Sequence, residues 1–221
     1  MSLKKRFFVT IKDMKLYLVR HGESISNVGN LIQPPEVELS EKGKEQSKLL
    51  AKRFKDIPID VIISSSLERA KQTTAIINKV VKKEVIYTDL LVERISPSKF
   101  IGMPDITPEF DELNRVLRDS TDPSYHHSDE ENFFDLKDRA ESFLEFVSNR
   151  KEENILCITH GMFLKILISS MMLREDLTPK IAFNSYDFFR AQNTGITLCL
   201  KDNKRGWSMH VWNDHAHLGE L

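Results

Sequence analysis

Short apolar runs alternate with longer segments of helical periodicity along this chain. The short runs are rich in Val, Ile and Leu, which is typical of strands buried on both faces of a sheet. They predict strands at residues 15–19, 60–63, 85–87 and 154–159. Two apolar segments near the end of the sequence predict a final pair of strands, within residues 188–200 and 207–212.

Helices are predicted between these strands, because apolar side chains recur there three or four positions apart. The clearest cases are residues 67–81, 133–149 and 162–173. Ser40 is a candidate N-cap for one more helix, whose apolar face holds Leu49, Leu50 and Phe54. The alternation of strands and helices predicts an α/β fold, a three-layer α/β/α sandwich around a central, mostly parallel sheet.

Residues 96–131 lack this regular alternation of strand and helix patterns. Their composition is mixed and polar, and they carry the prolines Pro97, Pro104, Pro108 and Pro123. One helix is predicted among them, near residues 108–118. We interpret the segment as an insertion that partly caps a single domain spanning residues 1–221.

Composition and charge limit which binding partners and which cellular compartment are expected. The chain has 221 residues, 40% of them hydrophobic, and its net charge of −1 gives no global attraction for nucleic acid or an anionic membrane. Cys157 and Cys199 lie singly in apolar runs, which is typical of buried, reduced thiols. The start of the chain is too polar for a signal-peptide core, and no apolar stretch reaches the roughly 20 residues of a membrane span. These features predict a cytoplasmic protein with neither nucleic acid nor membrane as partner, and they assign no oligomeric state.

Polar side chains stand where three of the predicted strands stop. Arg20 and His21 follow the first strand, Arg69 lies after the second, and His160 follows the fourth. The carboxyl ends of parallel strands share one edge of a sheet, so these side chains are expected to converge. Buried like charges are costly unless an anion compensates them. The pattern therefore predicts a pocket for a phosphate dianion.

Four ordered blocks of sequence carry a resemblance to a known family. They are Leu18-Val19-Arg20-His21-Gly22-Glu23-Ser24 with Asn27, Leu39-Ser40-Glu41-Lys42-Gly43 with Gln46, residues 64–73, and Ile158-Thr159-His160-Gly161. A single short motif recurs by chance, but four blocks in suitable strand context are specific. Together they resemble the signature of the histidine phosphatase superfamily, whose members include the cofactor-dependent phosphoglycerate mutases. The resemblance implies a phosphoglycerate mutase-like fold and no metal or organic cofactor.

By this resemblance, His21 is the nucleophile that forms a phosphohistidine. Arg20, Arg69 and His160 are expected to bind the phosphoryl oxygens, and Gly161 is expected to be a substrate-binding residue as well. An imidazole nitrogen attacks only when it is neutral, so the other ring nitrogen of His21 should donate to a fixed acceptor such as a backbone carbonyl. His160 is expected to act as a cation, because a neighbouring phosphate favours its protonated form.

The resemblance places a carboxylic acid after the third strand, where Glu93 stands, to protonate the leaving group and then to activate water. Acidic alternatives lie nearby at Glu84, Asp89 and Asp105. Ser24 and Asn27 are expected to add neutral hydrogen bonds to the phosphate, or else to form local caps and turns.

The remaining histidines suggest weaker hypotheses. Neither the pair His126 and His127 nor the pair His215 and His217 has a convincing set of metal ligands around it. The first pair is expected instead near the substrate entrance. The cap side chains to watch are Ser96, Ser98, Lys99, Tyr125, His126 and His127.

Two other activities compete with a phosphomonoester hydrolase. A mutase must shield its phosphohistidine from water, and the segment that follows Asn27, residues 29–35, lacks the aromatic Phe-Thr-Gly-Trp type of sequence usual in mutases. A non-catalytic phosphate-binding or scaffold protein commonly loses a reactive group, whereas His21, Arg69 and His160 are all present. The residues therefore favour a phosphatase acting on a small phosphomonoester, and they leave a phosphoprotein substrate open.

Overall fold

A computed structural model describes residues 14–202 and 204–219 of the chain, and in these residues six strands form one sheet. The order across the sheet is β3-β2-β4-β1-β5-β6. The neighbours β3-β2, β2-β4 and β4-β1 are parallel, whereas β5 pairs antiparallel with both β1 and β6. The strands are β1 Met14–Arg20, β2 Val61–Ser65, β3 Val85–Thr88, β4 Asn154–Thr159, β5 Ile196–Asp202 and β6 Gly206–Asp214. The predicted, mostly parallel sheet is confirmed.

Helices cover both faces of this sheet. They are α1 Ile25–Val28, α2 Glu41–Arg53, α3 Glu68–Val81, α4 Pro108–Asp119, α5 Phe133–Ser148, α6 Gly161–Leu173 and α7 Pro179–Phe188. Successive residues of β4 point to opposite faces, as expected for a pleated strand. Ile155 and Cys157 belong to the core that α5 and α6 cover, whereas Leu156 and Ile158 belong to the core under α2 and α3. This division confirms the predicted three layers.

The segment before β5 differs from its prediction. Residues 188–200 were predicted as strand, but α7 extends to Phe188 and β5 begins only at Ile196. Thr178 caps this helix by accepting a hydrogen bond from Ile181 N, and a proline stands at the first helical position. A loop follows, in which Thr194 has a positive φ of 61° that interrupts the extended backbone.

One position of the α2 prediction is also wrong. Ser40 does cap this helix, and Leu50 and Phe54 are buried at 0% and 1% exposure. Leu49 is 37% exposed, because it lies one position away from the stripe that faces the sheet.

Residues 96–131 form a cap that apolar side chains attach to the main core. Phe100, Phe110, Leu113 and Leu117 are buried in the same core as α5 and α6. The predicted helix is α4, which Thr107 caps and which packs against α7. No helix among residues 14–202 and 204–219 is long and apolar enough to cross a bilayer. The basic start of the chain lies outside the described residues, and the single domain over residues 1–221 stays a prediction.

Candidate active site

The strand ends bring the predicted pocket residues together. Arg20 at the end of β1 is the Cα partner of Thr159 at the end of β4, so His21 and His160 are the next residues on neighbouring strands. Their ring centroids are 4.9 Å apart. Arg69 lies in the first turn of α3, directly after β2. The convergence expected from the sequence is therefore present in the fold.

Hydrogen bonds fix the orientation of the His21 ring. Arg69 Nε donates to His21 Nε2 at 3.3 Å, and a guanidinium cannot accept, so Nε2 carries the lone pair. The proton then lies on Nδ1, which donates to the carbonyl oxygen of Gly22 at 2.6 Å. His21 is 1% exposed. The ring thus presents Nε2 to the pocket in the tautomer that nucleophilic attack requires.

Glycines allow the loop after β1 to pass close to α2. A Cβ at Gly43 would lie 1.9 Å from the carbonyl oxygen of Glu23, and one at Gly22 would lie 2.5 Å from the carbonyl oxygen of Gly43. Both positions therefore exclude any larger residue. The amide of Gly22 also donates to Thr73 Oγ1 at 3.0 Å, which ties the loop to α3.

Burial and the arginines control the charge of both histidines. Burial, and then the positive charges of Arg69 and Arg20, hold the pKa of His21 well below its usual value. Burial and the charge of Arg69 also hold the pKa of His160 well below its usual value. Burial lowers the pKa of Arg69 to about 10, so this guanidinium is still charged at neutral pH. The two imidazoles are therefore neutral beside charged arginines.

This finding refines the expectation for His160. The sequence predicts a cation there, but burial and the charge of Arg69 lower the pKa of His160 and so favour the neutral ring, whose Nε2 shares a hydrogen bond with Ser65 Oγ at 2.8 Å. A bound dianion would raise the pKa of His160 by offsetting the arginine charges. The cationic form is thus expected only together with a phosphate.

The buried neutral histidines should make folding sensitive to acid. Below about pH 6.5 an unfolded chain binds protons at His21 and His160, whereas the folded chain does not until the pH reaches their lowered pKa values. Protonation therefore favours unfolding in this range, and each histidine should remove up to about 1.4 kcal/mol of stability per pH unit. Urea unfolding between pH 7.5 and 5 is expected to show this decline, and His160→Asn should flatten it. An unchanged slope in the variant would contradict the assignment.

Two buried nitrogen atoms of the pocket, one on Arg20 and one on His160, lack a hydrogen-bond partner among the described residues. Arg20 Nη1 donates to the carbonyl of Ala191 at 2.7 Å, and Arg69 Nη1 donates to the carbonyl of Pro34 at 3.2 Å. Within the described part of the chain, the buried atoms Arg20 Nε and His160 Nδ1 have no hydrogen-bond partner. Buried polar groups are normally satisfied, so the unpaired N–H of Arg20, and Nδ1 of His160 when it carries a proton, suit an anion.

Glu93 is held at the N-terminus of α6. One carboxylate oxygen accepts from the amide of Phe163 at 2.9 Å, and the other accepts from the amide of Met162 at 3.1 Å. Arg139 donates to the carbonyl oxygen of Val92 at 2.7 Å and steadies this turn from α5. Both oxygens of Glu93 are therefore fixed in direction. Gly161 lies beside them, where a Cβ would come within 3.3 Å of Arg20 Nε.

Ser24 forms a cap in the structure. Its hydroxyl accepts from the amide of Asn27 at 3.1 Å and donates to Gln33 Oε1 at 2.8 Å, and the residue is 0% exposed. Asn27 completes this capping box, because its Oδ1 accepts from the amide of Ser24. The alternative of a local cap thus describes Ser24, while Asn27 also lines a pocket with Arg20.

Two spaces that share several lining residues, Glu93 among them, lie beside the site. The larger, of about 1020 Å³, lies between the cap and the sheet edge and reaches Arg69 and Glu93. The smaller, of about 170 Å³, is bounded by Arg20, Asn27, Glu93 and Gly161. Of the six cap side chains singled out in the sequence, Ser96 lines the larger cavity and the other five do not.

His126 and His127, expected near the substrate entrance, line neither of the two spaces. His126 Nε2 instead pairs with Asp135 at 2.7 Å, and the amide of His127 donates to Glu130. His217 Nε2 shares a hydrogen bond with Thr194. Among the residues that the structure describes, no three His, Cys, Asp or Glu side chains form a group that could hold a metal ion.

Asn193 is a site residue that the sequence did not reveal. Its Nδ2 donates to the carbonyl oxygen of His21 at 2.9 Å, and the amide of Thr194 donates to the carbonyl oxygen of Arg20 at 2.9 Å. The loop after α7 therefore holds the backbone of the last residue of β1 and of the residue that follows it. No local motif marks Asn193, because its function depends on a contact across the whole fold.

The fold and the pocket together describe an α/β protein in which two arginines surround a pair of buried histidines at one edge of the sheet. The family model of the histidine phosphatase superfamily (branch 1) matches residues 16–215, so the chain belongs to that superfamily. This membership confirms the resemblance found in the sequence.

The relatives carry two kinds of name. The chain is 37% identical over 214 residues to a probable phosphatase of Schizosaccharomyces pombe, covering 93% of this chain and 95% of that protein. It is 31% identical over 162 residues to a probable phosphoglycerate mutase of Photorhabdus laumondii, covering 72% and 75%. Among solved structures it resembles a mutant phosphoserine phosphatase of Entamoeba histolytica in complex with phosphoserine, with a TM-score of 0.73, 26% identity and coverage of 93% and 99%.

Proposed function

We propose that this chain is a phosphomonoester hydrolase that works through a phosphohistidine at Nε2 of His21. The observation that carries the proposal is the orientation of the His21 ring, whose Nδ1 proton is held by the Gly22 carbonyl. The lone pair of Nε2 is thereby directed toward the guanidinium of Arg69, among donors that suit a phosphate.

The reaction follows from this arrangement in two steps. Nε2 of His21 attacks phosphorus in line, the bond from phosphorus to the leaving oxygen breaks, and Glu93 gives its proton to that oxygen. Water then attacks the phosphohistidine while the Glu93 carboxylate takes a proton from it, which releases phosphate and restores both side chains. Arg20, Arg69 and protonated His160 stabilise the peripheral oxygens, where the charge resides during transfer.

The volume of the cavity beside the site favours hydrolysis over mutase chemistry. A mutase must exclude water while its intermediate reorients, which suits a small closed pocket. The cavity here has a volume of about 1020 Å³, several times that of a three-carbon phospho-acid, and it leaves room for water. A purely phosphate-binding role is disfavoured, because the nucleophile, both arginines and an oriented carboxylate are all present.

Trapping the intermediate tests the proposal. The native chain, with excess chelator, is mixed with radiolabelled phosphomonoester and quenched in alkali or in acid within one turnover. Label that survives alkali but is lost in acid is expected, because a phosphohistidine has that stability and a phosphoserine does not. Acid-stable label, or turnover that chelator abolishes, would overturn it. Phosphoglycerate assayed in parallel should yield inorganic phosphate, whereas an isomer without phosphate release would indicate a mutase.

A further inference from the structure

A chain of hydrogen bonds leads from the segment after β6 to the backbone of the proposed nucleophile. His217 lies in a short 3₁₀ helix, Ala216–Leu218, and its Nε2 is 3.0 Å from Thr194 Oγ1. The Thr194 hydroxyl donates to the carbonyl oxygen of Asn193 at 2.7 Å. A hydroxyl has a single proton to donate, so this hydroxyl accepts from His217. The proton of the His217 ring therefore lies on Nε2.

The loop between α7 and β5, which accepts this hydrogen bond, contacts both Arg20 and His21. Asn193 Nδ2 donates to the carbonyl oxygen of His21 at 2.9 Å, and the amide of Thr194 donates to the carbonyl oxygen of Arg20 at 2.9 Å. The carbonyl oxygen of Ala191 accepts from Arg20 Nη1 at 2.7 Å. A shift of this loop would therefore move the proposed nucleophile and a proposed phosphate ligand together.

Thr194 has a backbone conformation that is unfavourable for its residue type. Its φ is 61° and the residue is 0% exposed. A β-branched residue with a positive φ is strained, and such a conformation persists only where the surrounding contacts hold it. Glycine would adopt this conformation without strain, but it has no hydroxyl for His217. The contacts that hold Thr194 are its amide on Arg20 and its side chain on His217.

The segment after β6 begins with a second contact to the same loop. Asn213 Oδ1 accepts from the amide of Gln192 at 2.7 Å. Asn213 also has a positive φ, of 53°, which asparagine tolerates better than most residues. The 3₁₀ helix that carries His217 packs against α2. Residues 213–217 therefore connect α2 to both ends of the loop.

The surroundings of His217 leave it one way to affect the reaction. The ring is half-buried and lines neither of the two spaces beside the site, so it does not reach a substrate there. Burial holds its pKa below the usual value, although the charge of Asp214 opposes this. Among the described residues, its Nδ1 has no hydrogen-bond partner. A neutral ring with its proton on Nε2 has one hydrogen bond to donate, and Thr194 receives it.

We propose that His217 is a positioning residue for His21, and that it acts through Thr194 and the loop before β5. The proposal rests on the proposed phosphatase function, because it assigns the group that keeps the proposed nucleophile in line with phosphorus. A misplacement of about 1 Å in reacting groups can cost about 100-fold in rate. Loss of the His217 donor should therefore slow phosphoryl transfer. Phosphate affinity should change little, because Arg69 and His160 are held at other strand ends.

Two amide variants of His217 test this assignment. In His217→Gln the amide nitrogen is as many bonds from Cβ as Nε2 is, so it can still donate to Thr194, whereas in His217→Asn it stops short. His217→Asn is expected to lower the single-turnover rate of transfer from para-nitrophenyl phosphate by about 10- to 100-fold. Its KM should stay within about threefold of the native value, because ground-state binding is kept. His217→Gln should restore most of the rate.

A control variant and a double variant separate this role from a general loss of structure. His210 of β6 is exposed and also shares a hydrogen bond with a hydroxyl, that of Ser208, so His210→Asn should keep the native rate. Thr194→Val removes the hydroxyl, and its combination with His217→Asn should be no slower than either alone, because both break one chain of contacts. Additive losses, equal losses in His217→Gln and His217→Asn, or a native rate in His217→Asn would overturn the proposal. The amide pair decides the question even where Thr194→Val fails to fold.

The ring of His21 provides a readout that does not depend on turnover. Its Nδ1 proton, held by the Gly22 carbonyl, should give a low-field NMR signal that is absent from His21→Ala. His217→Asn is expected to shift or broaden this signal, His217→Gln to return it, and His210→Asn to leave it unchanged. Such a result without a phosphoenzyme in the native chain would support the positioning role while the phosphatase function failed. A native signal in His217→Asn would overturn the positioning role and leave the phosphatase function standing.

Discussion

Replacing His21 with alanine is expected to lower kcat for para-nitrophenyl phosphate by a factor on the order of 10⁴ or more, because loss of a catalytic nucleophile has effects of this size. The variant keeps Arg20, Arg69 and His160, so its pocket still attracts a phosphate. The lost ring is neutral, so the positive charge of the pocket does not fall when it is removed. Inorganic phosphate should therefore bind at least as tightly as before, and the acid-labile phosphoenzyme should disappear.

The matched control for this experiment is His126→Ala. His126 is also a histidine hydrogen-bonded at both ring nitrogens, to Ser124 and Asp135, but it lies in the exposed part of the cap. Its loss should change kcat by less than about threefold, as surface substitutions usually have small effects. If His21→Ala kept more than about a hundredth of the native activity while remaining folded, another group would have to be the nucleophile.

The sequence predicts those candidate site residues that lie at the end of a strand or directly after it. Arg20, His21 and His160 each follow a continuous apolar run, and parallel strands necessarily end at one edge of the sheet. The sequence also predicts that Nδ1 of His21 donates its proton to a backbone carbonyl, because a fixed acceptor is needed to keep the ring in one orientation. The structure identifies that acceptor as Gly22.

The remaining parts depend on contacts that no local pattern records. Asn193 donates to the backbone of His21 across 172 positions of sequence, and Arg20 Nη1 donates to the carbonyl oxygen of Ala191 across 171 positions. The start of helix α7 is marked in the sequence by Thr178, an N-cap residue, and by Pro179 at the first helical position. The apolar residues at the end of this helix favour a strand prediction instead. Ser24 shows the opposite case, in which a residue of the family signature serves as a buried cap.

The charge state of the site affects both the stability of the fold and the proposed phosphoryl transfer. Burial favours the neutral form of His21, which the proposed nucleophilic role requires, and the same burial leaves Arg20 Nε and His160 Nδ1 without hydrogen-bond partners among the described residues. A phosphate satisfies these donors and neutralises the arginines at once. Substrate binding is thus expected to stabilise the fold as well as to prepare it for transfer.

Glu93→Gln is the second substitution with a large expected effect, and its size should depend on the leaving group. For an alkyl phosphate such as phosphoserine the leaving alkoxide is a strong base, so loss of the acid should lower kcat by roughly 10²- to 10⁴-fold. The para-nitrophenolate ion leaves without a proton, so its transfer step should be much less affected. Glutamine has nearly the same shape, and one oxygen can still accept from the amide of Phe163.

The matched control is Asp105→Asn, because Asp105 lines both spaces that Glu93 lines and is an acidic alternative for the same role. Glu84 is exposed before β3, at the opposite end of that strand from the site, and Asp89 accepts from Ser66. Rates for a series of aryl and alkyl phosphates should therefore fall more steeply with leaving-group basicity in Glu93→Gln than in Asp105→Asn. If the steeper dependence belonged to Asp105→Asn, the proton donor would be Asp105, and Glu93 would have only a positioning role at α6.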